Sequence, residues 1–115
     1  MVSFGIALAL LTAAAPVALR IPAEEANQGV ASDGTYVYAI DNDRIGKYEI
    51  ATGKRIAGWQ GERTLFPHMN SCTVVKHELV CAASNYPAVP QTSAVEIFDT
   101  RTLRHLRSVS LPRNR

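Results

Sequence analysis

Two cysteines, one tryptophan and three histidines are all that 115 residues provide of the side chains most used in metal centres and redox sites. Two thiols cannot build a four-thiolate zinc site or a disulfide-dense scaffold. A formal net charge of +2, from 12 Lys and Arg against 10 Asp and Glu, is too small to argue for nucleic acid. No stretch carries the 3.6-residue apolar period of an amphipathic helix. With 47% hydrophobic and 19% charged residues, the chain has the composition of a folded domain and not of a disordered one.

One apolar run stands apart. From Phe4 to Leu19 the sequence is nearly unbroken Ala, Leu, Ile and Gly, with Pro16 close to its end. A membrane-spanning helix needs roughly 20 apolar residues, and this run is shorter. Ala13, Ala14 and Ala15 supply the small residues that a signal peptidase accepts, although no Lys or Arg precedes the run. Residues 1–23 are therefore expected to form a signal-like helix, either a cleaved signal peptide or an N-terminal anchor. The protein is expected to be secreted or periplasmic, with no stable membrane span.

Beyond residue 24 the pattern is one of short β-branched and aromatic runs separated by turn residues. Val30–Ser32 and Tyr36–Ile40 flank Asp33-Gly34, a dipeptide that tolerates positive φ and predicts a two-residue hairpin pairing Val30–Ser32 with Thr35–Val37. Asp41-Asn42-Asp43 predicts a turn, Ile45–Ile50 a third strand, Thr52-Gly53 another turn and Arg55–Gln60 a fourth strand. The same order recurs over Ser71–Val75, Lys76-His77, Leu79–Ala83, a longer loop over 84–93, Ala94–Phe98, and His105–Leu111. An offset of 43 carries Glu25 to His68, Asn27 to Asn70 and Val37 to Val80; past the longer loop Ile45 meets Val95 and Tyr48 meets Phe98. A four-strand unit repeated every ~40 to 50 residues predicts an all-β chain of blade-like antiparallel meanders.

Asn27-Gln28-Gly29-Val30, Tyr38-Ala39-Ile40-Asp41-Asn42, Ile45-Gly46-Lys47-Tyr48, Asn70-Ser71, Ser84-Asn85-Tyr86-Pro87 and Val95-Glu96-Ile97-Phe98-Asp99 carry a resemblance to a known group. Over about three quarters of the chain, they look like the opening blades of secreted bacterial β-propellers of the YVTN and cycloisomerase-like group. The resemblance implies a partial β-propeller over 24–115, with blade one at about 27–61 and blade two at about 69–111, and further blades in a longer chain. Propellers close with 4 to 8 blades, so two cannot complete a ring; the remaining blades, or several copies of this chain, are needed to cover the open flanks.

Blade topology collects the longer connections at one end: residues 24–28, 41–43, 68–71 and 85–91. Loops on a rigid frame usually carry function, so the candidate ligand-binding residues are Glu25, Asn27, Gln28, His68, Asn70, Ser71, Asn85 and Tyr86. Each Asn is equally well explained as a backbone cap at a bend. His68 is the one candidate for proton transfer, but no second His or carboxylate lies at metal-ligand spacing. Asp41-Asn42-Asp43 offers oxygens to a divalent metal yet lacks the Gly and distal Glu of a calcium loop, and reads as a turn. No cofactor is required. Trp59 reads as packing between sheets.

Cys72 and Cys81 are symmetric about the Lys76-His77 turn, which places them opposite one another on adjacent strands. They are within disulfide reach if their side chains share a face, and otherwise are two buried thiols. Arg101, Arg104, Arg107, Arg113 and Arg115 make the last segment basic, as a solvated outer strand that resists edge pairing. The function expected is a scaffold holding a small polar ligand or a protein. The alternative is a lactonase-like or cycloisomerase-like enzyme whose His68 moves a proton and whose Asn27 and Asn70 orient the substrate.

Overall fold

A computed structural model describes residues 1–2, 16 and 19–112; the expected signal-like helix falls mainly on residues outside these. Among the described residues the secondary structure is all β, in eight strands: β1 (Gly29–Ser32), β2 (Tyr36–Ile40), β3 (Arg44–Glu49), β4 (Arg55–Gln60), β5 (His68–Val75), β6 (Glu78–Ser84), β7 (Ser93–Asp99) and β8 (His105–Leu111). They form two antiparallel sheets, each a simple meander, in the order β1-β2-β3-β4 and β5-β6-β7-β8.

The two sheets repeat one another in detail. A β-bulge falls between Lys47 and Tyr48 in the first and between Ile97 and Phe98 in the second. In the turns that follow, the Gly53 amide donates to the Glu49 carbonyl at 2.8 Å and the Leu103 amide to the Asp99 carbonyl at 2.8 Å. Both turns need a left-handed residue at that place, and it is Gly53 at φ 71° in one and Leu103 at φ 57° in the other. Leu103 tolerates this conformation because its side chain is sunk in the core, 1% exposed.

Strand alternation turns Ala31, Tyr38, Ile40 and Ile45 of the first sheet toward Met69, Leu79, Cys81 and Phe98 of the second, and all eight are buried in one shared core. Burying each large member contributes about 1.5–3 kcal/mol. Trp59 of β4 packs edge-on against Phe98 of β7, with ring centroids 4.7 Å apart, so the tryptophan does join the sheets. At the inner edges β1 and β5 nearly touch: a methyl on Gly29 would lie 3.1 Å from the Cα of Ser71. The outer strands β4 and β8 are mostly exposed, as expected of solvated edges.

Two local expectations need correction. The first hairpin is centred on Gly34-Thr35, one residue later than the expected Asp33-Gly34, because Ser32 pairs with Val37 and not with Thr35. The Asp33 amide still donates to the Tyr36 carbonyl at 3.2 Å, but the Asp33 carboxylate accepts the amides of Thr35 and Tyr36 at 2.9 and 2.7 Å, so a side chain takes the return bond of that pair. Second, β5 begins at His68, three residues earlier than the expected Ser71, with its register shifting between Met69 and Cys72. The Lys76-His77 turn does close in two residues, since Val75 pairs with Glu78. Cys72 and Cys81 are direct partners and form a disulfide.

Candidate functional site

The β2–β3 turn, the 61–67 connection into β5 and the β6–β7 loop meet at one end of the molecule. There a chain of polar contacts runs between the sheets. Asn27 donates to the Asp41 carboxylate at 3.1 Å, and Asp41 also accepts the Asn42 amide at 2.8 Å and the Arg44 guanidinium at 2.5 Å. Burial alone pushes the Asp41 carboxyl up; the bonds from Arg44, Asn42 and Asn27 outweigh it and hold the carboxyl below its ordinary value. The side-chain amide nitrogen of Asn42 faces Asp41 at 3.3 Å, which turns its oxygen toward Nδ1 of His68 at 2.6 Å. An amide oxygen only accepts, so His68 carries a proton on Nδ1 and, when neutral, presents Nε2 as a free acceptor. The ring of Tyr86 lies 5.4 Å from that of His68.

His68 stands at the side of a cleft of about 190 Å3. Its floor follows from strand alternation. Ala83 of β6 and Ala94 of β7 are direct partners whose side chains share the face turned to the other sheet, and two methyl groups leave a hollow where larger residues would fill it. Leu65, Phe66 and Pro67 also line it, with Glu96 beyond Ala94 on the same face.

The expected site residues divide. His68, Asn85 and Tyr86 gather around this end, and Asn27 reaches it through Asp41 and Asn42. Asn85 clamps its own loop: its carbonyl oxygen accepts the Thr92 amide at 2.7 Å, and its nitrogen donates to the Pro90 carbonyl at 3.1 Å. Glu25 does not play the part that its match to His68 in the repeat implies. It is buried against the outward face of the first sheet, accepting Tyr48 at 2.6 Å and Arg55 at 2.7 and 3.0 Å. Gln28 enters only through its backbone amide, which donates to Ile40. Asn70 and Ser71 sit in the irregular stretch of β5, Ser71 against Gly29, away from the His68 cleft.

Sequence reasoning also missed a cluster. Glu96, 7% exposed, accepts through Oε2 both the Nε2–H of His105, at 2.7 Å, and the hydroxyl of Ser108. His105 is flanked edge-on by Phe66 and Phe98, with centroids 5.1 Å away on each side. The order Glu, His, Ser is not a nucleophile relay, because carboxylate and hydroxyl both meet the same imidazole nitrogen. The signal was a charged residue at an inward position of β7, visible only once the sheet's facing was known.

Among the described residues no three His, Cys, Asp or Glu side chains gather in a way that could hold a metal ion, and no helix is long and apolar enough to cross a membrane. No model of a known protein family and no curated protein matches this chain.

Proposed function

We propose that the chain is an arc of a β-propeller that serves as a binding scaffold, with its ligand site at the end where His68 joins the two sheets. The paired meanders, their matched bulges and turns, and the approach of β1 to β5 support the blade reading. Val75, Val109 and Leu111, about half exposed on the far face of the second sheet, are where a further blade would pack. The Cys72–Cys81 disulfide supports an oxidising compartment, and so a secreted or periplasmic location.

The observation that carries the site is the Asn27–Asp41–Asn42–His68 chain, in which three polar side chains fix one imidazole beside a cleft. A residue held in one tautomer by its neighbours is suited to recognition. To test it, the isotope-labelled chain is titrated with a panel of small amines, alcohols and carboxylates while backbone amide shifts are followed. The site reading expects shifts confined to residues 64–68, 83–85 and 92–96 and lost in His68→Ala; shifts scattered over both sheets, or unchanged by that substitution, contradict it.

A further inference from the structure

The cleft beside His68 has a chemical preference. The residues that line it include a single carboxylate, Glu96, and no Lys or Arg. The Glu96 side chain is 9% exposed, and both of its bonds, from His105 and Ser108, fall on Oε2, so neither of them occupies Oε1. A desolvated carboxylate with one oxygen left to a cleft favours a cation there. Half of the other lining residues are apolar, namely Leu65, Phe66, Pro67, Ala83 and Ala94, and can hold an uncharged body. A bare metal ion is a poor match, since among the described residues no three His, Cys, Asp or Glu side chains gather in a way that could hold one.

Resting on the reading of this cleft as the ligand site, we propose that it takes a small organic cation: an ammonium group on a short apolar body. Glu96 is the charge partner, His68 Nε2 is a second acceptor for the ammonium protons, and the alanine floor under Phe66 holds the body. An apolar cavity of ~150 Å3 accepts benzene, so the space here fits a ring or short chain bearing one amine.

The test uses the full chain at about pH 8, where ordinary imidazoles are neutral and an alkylammonium stays charged. Benzylamine, benzyl alcohol and benzoate are titrated separately and amide shifts are read. The proposal expects benzylamine to shift residues 64–68, 83–85 and 92–96, benzyl alcohol to bind about tenfold more weakly, and benzoate not to bind. Glu96→Gln, which keeps an acceptor for His105, removes the difference between amine and alcohol. Ala94→Leu fills the floor and excludes both. Equal binding of amine and alcohol by the unaltered chain, or a preference that survives Glu96→Gln, overturns the cation while leaving the cleft as a site. If no probe shifts these residues, or if Ala94→Leu leaves binding unchanged, the cleft itself is not the site. Should Glu96→Gln not fold, the comparison of the three probes on the unaltered chain still decides.

Discussion

The ammonium of Lys47, on β3 of the first sheet, donates a 2.7 Å hydrogen bond to the Thr100 carbonyl in the β7–β8 turn of the second. Lys47 is 6% exposed, and its nitrogen lies 4.1 Å from the centre of the Tyr36 ring. The Tyr38 hydroxyl, which donates to the Asp33 carboxylate at 2.8 Å, lies 3.3 Å from the same carbonyl, so two side chains of one sheet end at one oxygen of the other. Lys47→Ala is expected to cost about 2–4 kcal/mol, and Lys47→Met, which keeps the packed stem, about 1–2 kcal/mol. Urea denaturation with an unchanged slope measures both.

Acid should weaken the fold through Glu25, Asp33 and Asp41. Burial pushes each carboxyl up, but the bonds it accepts reverse this, and all three lie below their ordinary values. For Glu25 those bonds come from Tyr48 and Arg55. A folded-state value below the unfolded one contributes stability that is whole above the ordinary carboxylate range and is lost as pH falls through the folded value. The melting temperature is therefore expected to be insensitive to these groups above about pH 5 and to fall below it. Glu25→Gln is expected to lower stability at neutral pH by about 1–2 kcal/mol, because Arg55 is half exposed, and to flatten the acid slope. Thermal melts from neutral to acid pH read both effects.

Gly46 is the floor for the buried Glu25 carboxylate. A methyl at this position would stand 2.5 Å from Glu25 Oε2 and 2.8 Å from the Tyr48 ring. Gly46→Ala is expected to destabilise by about 1–3 kcal/mol by displacing the carboxylate from its partners. The double variant Gly46→Ala, Glu25→Ala should lose less than the sum of the two, which a double-mutant cycle measures.

The Cys72–Cys81 bridge closes a loop of 9 residues' separation, for which chain entropy predicts about 2.5 kcal/mol. Replacing both cysteines by serine should lower unfolding stability by about that amount, and thiol titration of the native chain should find neither cysteine reactive.

Much of the frame was legible in the residues. Arg55–Gln60 and His105–Leu111 are strands over the very residues expected, and the centring of Lys76-His77 between the cysteines gave their pairing. These features are local: a strand's alternation and a turn's chemistry act over a few neighbours. What was not legible depends on contacts made across the chain. Glu25 is captured by Arg55, 30 residues on, and His68 by Asn42, 26 residues back. The repeat offset matched Glu25 with His68 by position, but side-chain partners belong to each sheet's own surroundings, and the match carried no shared role. The shift of the first hairpin by one residue has the opposite origin, the Asp33 side chain competing locally with the ladder.

The central claim is that the two meanders share one core and so bring Asn42 to His68. Nuclear Overhauser contacts between the Trp59 indole and the Phe98 ring, and between the Asn42 side-chain amide and the His68 ring, test it most directly. The account predicts both sets of cross-peaks in the same sample. Well-formed strands within each sheet without either contact between them would contradict it.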